Sequence, residues 1–237
     1  MIRLEITPYY GKKIACLNCK TDFITTKVRS RFVRVTSHES DFKPVYSDPE
    51  IKPLLYNVAV CPQCGFSFTD EFAPYFAPGT KDDILNKITA QWNGRSFGAE
   101  RDIDEAIETY KLAYLSAMLK KEKALSMAGL TLRVAWLYRD QGKQEEEQRF
   151  MKIARDLYVN SYSEGDYAGT QMSESRVLYI IAELSWKIGD KEEAIRHFSR
   201  VIEGQRSSTE PHIIKIAKDR WQEIREIQSR NAEGAQS

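Results

Sequence analysis

Two Cys-x-x-Cys pairs, Cys16 with Cys19 and Cys61 with Cys64, constrain this chain more than any other feature of its sequence. A two-residue gap turns both thiolates of a pair toward one point, and two such knuckles supply a tetrahedron of sulfurs about 2.3 Å from a zinc ion. Cys61-Pro-Gln-Cys64-Gly65 is the better knuckle. Its proline stiffens the turn, and its glycine permits a positive φ and close approach of backbone N–H groups to sulfur. Cys16-Leu-Asn-Cys19-Lys20 has lysine in the glycine place. The spacer of 41 residues exceeds the roughly 15–20 of compact sites, so residues 25–60 must carry strands and loops of their own.

Two other readings of four cysteines are weaker. Buried cysteines without a ligand have no reason to fall into two such pairs. A thioredoxin-like redox pair needs one Cys-x-x-Cys opening a helix in a βαβ unit, and neither pair has that setting. The expectation is therefore one structural zinc ion held by Cys16, Cys19, Cys61 and Cys64. With four protein ligands no coordination position is left for catalysis. The start of the chain, Met1-Ile2-Arg3-Leu4-Glu5, lacks the apolar core of a secretory signal. No stretch approaches the roughly 18 apolar residues of a membrane span. The expected compartment is the reducing cytoplasm, where paired cysteines mean metal and not disulfides.

The rest of the chain divides into a β-rich start and a helical remainder. Lys27–Val35 and Leu54–Val60 carry β-branched and aromatic residues and are expected to be strands. Phe72-Ala-Pro-Tyr-Phe-Ala-Pro-Gly-Thr80 reads as a linker, with Phe72, Tyr75 and Phe76 docking it against the body. The expected domains are thus 1–80, including the linker at 72–80, then 81–230, with 231–237 a disordered tail. Beyond residue 81, apolar residues recur at helical spacing, as in Ile103, Ala106, Ile107, Tyr110 and Ala113. Segments 124–139 and 176–188 are apolar on more than one face, which requires neighbours on both sides. Asp140-Gln-Gly142 and Gly189-Asp190 end helices just before charged helix starts.

Residues 178–203 look like a tetratricopeptide (TPR) unit. Leu178, Ile181, Ala182 and Ser185 fall at first-helix packing positions, and Ala194, Phe198 and Val201 at second-helix ones. Looser copies precede it at irregular spacing, and 161–173 reads as an inserted loop. The expected fold class is α+β multidomain: a small β-rich zinc ribbon followed by an all-α, TPR-like helical-hairpin domain.

Charge supplies a second candidate site. The chain as a whole carries +1, yet residues 10–35 hold seven basic residues against Asp22 alone. If 27–35 is extended, Lys27, Arg29 and Arg31 project from one face and can hold an anion, because arginine forks match phosphate or carboxylate. The plainer alternative is that they are solvated or paired with Asp41, Asp48 or Glu50. His38, His197 and His212 stand in separate contexts and are expected at the surface or at caps. No residue constellation points to catalysis.

With these motifs in view, the chain resembles the bacterial family called domain of unknown function 2225. The resemblance rests on Val28-Arg29-Ser30-Arg31, Asp41-Phe42, Tyr56 ahead of Cys61-Pro-Gln-Cys64-Gly65, Ala106–Lys111, Val134–Arg139, Glu183-Leu184, Gly189 and Glu193-Ala194-Ile195. The family often has Asp-Ser-Asp where this chain has Glu39-Ser40-Asp41. What the resemblance implies is architecture, a two-knuckle zinc ribbon joined to TPR-like helices, and a feature of the ribbon shared by Arg29, Arg31 and Asp41. The expected function is that of a non-enzymatic adaptor that binds a partner protein or peptide through its helices. The alternative is a nucleic-acid-binding accessory protein using Lys27, Arg29 and Arg31.

Overall fold

A computed structural model describes residues 6–206 and 208–234. It has an α+β fold, in which three small antiparallel hairpins, two of them carrying the cysteines, precede seven α-helices among the described residues. Two compact units divide the chain, 1–150 and 151–237. The boundary expected at residue 80 lies inside the first unit.

In the first unit, β1 (Tyr9–Ala15) pairs with β2 (Asp22–Val28) in continuous register from Tyr9↔Val28 to Ala15↔Asp22. β3 (Val35–His38) pairs with β4 (Pro44–Tyr46) across a bulge between Val35 and Ser37. β5 (Ala59–Val60) pairs with β6 (Ser67–Phe68) over two residues each. The extended run expected over 27–35 is interrupted. β2 stops at Val28, and Ser30–Phe32 form a 3-10 turn closed by the Phe32 N–H on the Arg29 carbonyl at 2.9 Å. Leu54–Tyr56 likewise belong to a 3-10 turn. Pro53 starts it with its fixed φ and absent N–H, so only Ala59–Val60 of the expected second strand pair with a partner.

Aromatic side chains form the core behind the hairpins. Phe66 is fully buried and stacks on Phe68, with ring centres 5.9 Å apart; Phe72 meets Phe66 edge-on at 6.4 Å and Phe76 lies 5.6 Å away. The linker is docked as expected at Phe72 and Phe76, whereas Tyr75 is exposed. Glu122 fixes it further by accepting the Ala73 N–H at 3.1 Å, and Lys120 pairs with Glu122 beneath the Phe76 ring.

Helices follow: α1 (Thr80–Lys87), α2 (Ile103–Lys120), α3 (Ala124–Asp140) and α4 (Gln144–Glu164). A reciprocal capping box of Asp102 and Glu105 starts α2, satisfying two otherwise orphan N–H groups. Asp140-Gln-Gly142 ends α3 as expected, with Gly142 at φ +68°, and Glu145–Glu147 occupy the first turn of α4. Arg139, near the end of α3, binds the β3–β4 turn. Its guanidinium donates to the fully buried Asp41 at 2.5 and 3.3 Å, to Glu147 at 2.6 Å, and to Glu39. Asp41 is thus paired with Arg139 of α3.

α4 continues into the second unit, which also holds α5 (Glu174–Lys187), α6 (Lys191–Glu203) and α7 (Pro211–Gly234). Ser173 caps α5 and Asp190 caps α6. Between them Gly189, at φ +86°, makes the tight reversal that a side chain would strain. Leu178, Ile181, Ala182, Ser185, Ala194, Phe198 and Val201 are all buried, at the packing positions read from the sequence. Tyr179 and Phe198 meet edge-on at 5.8 Å. Buried Glu183 receives Arg220 of α7 at 2.8 and 3.1 Å.

Three expectations need correction. His197 is buried, not at the surface, and its Nδ1 lies 2.9 Å from the Glu193 carbonyl one turn earlier. Helix α4 runs through Ser161–Glu164, so the expected loop begins only at Gly165. α7 continues to Gly234, past the start of the expected tail, while 235–237 lie outside the described residues. No helix among the described residues is long and apolar enough to cross a membrane.

Candidate metal centre

Each cysteine pair sits at the tip of a hairpin, Cys16–Cys19 between β1 and β2 and Cys61–Cys64 between β5 and β6. The two tips repeat one hydrogen-bond pattern. Cys16 N–H donates to the Thr21 carbonyl at 2.9 Å and Lys20 N–H to the Cys16 carbonyl at 3.1 Å. Cys61 N–H donates to the Phe66 carbonyl at 3.0 Å and Gly65 N–H to the Cys61 carbonyl at 2.9 Å. The residue after each pair is left-handed, Gly65 at φ +73° and Lys20 at φ +65°. The lysine thus adopts the glycine conformation at a steric cost, offset by its ammonium donating to the Leu17 carbonyl at 2.8 Å.

These tips bring all four sulfurs within 4.8 Å of one another. Cys16 Sγ lies 3.7 Å from Cys64 Sγ, and Cys19 Sγ lies 3.6 Å from Cys61 Sγ. A tetrahedron of sulfurs 2.3 Å from its centre has edges of about 3.8 Å. A disulfide would need about 2.05 Å. All four cysteines are free thiols with a metal-ion spacing, and the donor set fits a soft, tetrahedral cation. Cys16, Cys61 and Cys64 are buried, while Cys19 is exposed.

The thiols compete for charge. Cys61 is held down to about 2, because Cys16 and then Cys64 donate to its sulfur. Cys16 is pushed up by its hydrogen bonds to Cys61 and Cys64 and by burial. Cys64 is lowered by its contact with Cys16, yet Cys61 and burial outweigh that and raise it to about 12. Without a cation the cluster resists multiple thiolates, and a bound divalent ion would remove that resistance by deprotonating its ligands.

Sequence reasoning missed what braces the second knuckle. Trp92 Nε1–H donates to the Pro62 carbonyl at 2.9 Å, and Thr89 Oγ1 donates to the Cys64 carbonyl at 3.0 Å. The Trp92 ring lies so close to Gly65 that a Cβ there would stand 2.6 Å from it. Thr89 and Trp92 follow α1 without any motif, so no local signal marks them. Asn18 Nδ2, 3.9 Å from Cys64 Sγ, adds a long N–H···S contact between the knuckles.

The basic residues part company. Lys27 points inward, with Nζ 3.4 Å from the Asn57 carbonyl and 3.9 Å from Asp70. Burial pushes its ammonium below the ordinary lysine value, and Asp70 pulls the other way. The turn at Ser30–Phe32 swings Arg29 and Arg31 elsewhere, into a shared cleft with Ile6, Tyr10 and Ser30.

The sequence model of the family described as "Uncharacterized protein conserved in bacteria" (DUF2225) matches residues 9–224, a span that includes both cysteine pairs. The chain belongs to that family. An uncharacterized protein of Borreliella burgdorferi is 28% identical over 172 residues, covering 65% of this chain and 61% of its own length. The chain therefore spans less than two thirds of that relative. No solved structure matches it.

Proposed function

We propose that this chain is a non-enzymatic cytoplasmic adaptor, in which one structural zinc ion on Cys16, Cys19, Cys61 and Cys64 fixes a ribbon platform and TPR-like helices bind a partner protein or peptide. The observation that carries the reading is the closed set of four sulfurs, with edges of 3.6 and 3.7 Å. Four thiolates fill the coordination sphere of zinc and leave no position for water or substrate, so the ion's task is to hold loops in place. In small zinc domains such an ion contributes on the order of 10 kcal/mol of folding free energy.

The α5–α6 hairpin supports the second half of the proposal. Its tight Gly189 reversal and its buried Ala182, Ala194 and Phe198 are compatible with a helical-repeat unit and support the reading, because such units bind extended peptides along their helices. Elemental analysis tests the first half: one zinc per chain is expected, lost with the native fold of the ribbon in Cys61→Ser. A metal-free preparation that stays folded would overturn it. For the second half, photo-crosslinkers at Ile195 of α6 and Ile216 of α7, which are 37% and 38% exposed, should capture a protein or peptide partner in cells. A zinc-loaded chain that crosslinks to nothing from either position, or that turns over a substrate, would overturn the adaptor reading.

A further inference from the structure

An open depression beside the β1–β2 hairpin gathers two cations. It has a volume of about 420 Å³ and is lined by Ile6, Tyr10, Arg29, Ser30 and Arg31. Arg29 is oriented in advance. Its Nε donates to the Thr7 carbonyl at 3.2 Å and its guanidinium lies 4.8 Å from the centre of the Tyr10 ring, which leaves both Nη groups for a ligand. The Arg31 guanidinium lies 4.8 Å from the centre of the Phe32 ring and, among the described residues, makes no hydrogen bond or ion pair. No carboxylate among the described residues pairs with Arg29 either.

We infer that Arg29, Arg31 and Ser30 form a binding site for a phosphate-type dianion, either free phosphate or a phosphate monoester. Two guanidinium forks and a hydroxyl offer more donors than a carboxylate can accept, whereas a phosphate has three acceptor oxygens and nearly two charges. Arg29 and Arg31 have no acidic partner among the described residues, and a dianion would supply one charge for each. Nucleic acid fits less well. The nearby rings that would stack bases, Tyr10 and Phe32, are each covered by a guanidinium, and Lys27 has left the group for Asn57 and Asp70. The site needs no partner on the helices, so it stands apart from the adaptor reading.

Titration of the zinc-loaded full chain above about pH 7, where a monoester is dianionic, tests the inference by calorimetry with inorganic phosphate, phenyl phosphate and acetate. One saturable site is expected for a phosphate, tighter than for acetate. Preference for the free ion or for the ester identifies the source. Arg31→Ala removes no hydrogen bond of the described fold and should weaken binding about tenfold or more, and Arg29→Lys should weaken it through loss of the fork. Lys13→Ala, on the same hairpin but paired with Asp22 at 2.9 Å, should leave it unchanged. Failure of both phosphates to saturate would overturn the site. So would an equal loss in Lys13→Ala, which marks diffuse surface charge. A single-stranded oligonucleotide that binds far more tightly than either phosphate, with a steep salt dependence, would replace it with a nucleic-acid interface.

Discussion

Trp92→Ala should weaken zinc binding without touching a ligand. The indole donates to the Pro62 carbonyl inside the second knuckle, and its ring face covers Gly65. Loss of the hydrogen bond costs about 1 kcal/mol. The ring is half-buried; covering about 100 Å² of it, at about 25 cal/mol per Å², is worth roughly 2–3 kcal/mol. These contacts depend on the folded knuckle, so their loss, about 3–4 kcal/mol in all, falls on the loaded state and should lower zinc affinity by roughly 100- to 1,000-fold, at or above the upper end for residues that orient metal ligands. Trp92→Phe keeps most of the ring and loses only the bond, for a loss of about fivefold. Competition against a chromophoric chelator measures both. The reasoning fails if Trp92→Ala folds and binds zinc within about twofold of the parent chain, because the metal-free loop would then hold the same contacts.

Gly65→Ala should be worse than its size implies, since φ +73° disfavours any side chain and the new Cβ meets the Trp92 ring; reduced zinc occupancy after purification checks it. Arg139→Met strips buried Asp41 of its guanidinium and should cost the first unit about 3–5 kcal/mol in chemical denaturation. Burial, opposed by the Glu193 carbonyl and carboxylate, holds His197 below its ordinary 6.5, so the unfolded chain takes up this proton first. Stability of the second unit should therefore fall as pH drops below 6.5, and His197→Gln should flatten that part of the pH profile. Chelation should remove amide-exchange protection through α2 and α3, well beyond residue 80, while the α5–α6 hairpin stays protected; a loss confined to residues 9–71 would refute the coupling.

Local chemistry was legible in the sequence, and long-range partnership was not. The cysteine spacing carries the site because two-residue gaps close on themselves. Gly142 and Gly189 mark helix ends because each stands in a left-handed conformation that glycine adopts freely. Lys27–Val35 misled because β-branched and basic residues favour a strand only while a partner strand is present, and β1 ends its pairing at Tyr9 opposite Val28. The Asp41-Phe42 and Val134–Arg139 segments, far apart in the sequence, meet in one ion pair whose partners are 98 residues apart. Thr89 and Trp92 were invisible because they support the knuckle with a hydroxyl, an indole N–H and a ring face, which any soluble helix-flanking segment can carry.

The dependence of the ribbon on α2 follows from its backbone. β5 and β6 satisfy few of their own groups, and the loops around them are buried, where each unpaired N–H or carbonyl costs about 1–3 kcal/mol. Side chains on and before α2 supply the missing partners. Tyr110 Oη donates to the Leu54 carbonyl at 2.8 Å, buried Arg101 donates to the Leu55 and Val58 carbonyls at 3.2 and 2.8 Å, and Ser116 Oγ accepts the Ser67 N–H at 3.0 Å. The cysteine sulfurs thus stand at the tip of this short hairpin, and the helix lies along its strands. Withdrawing the helix would leave buried carbonyls and the Ser67 N–H without these partners. A ribbon excised at residue 80 would keep its four cysteines and lose the partners of Leu54, Leu55, Val58 and Ser67.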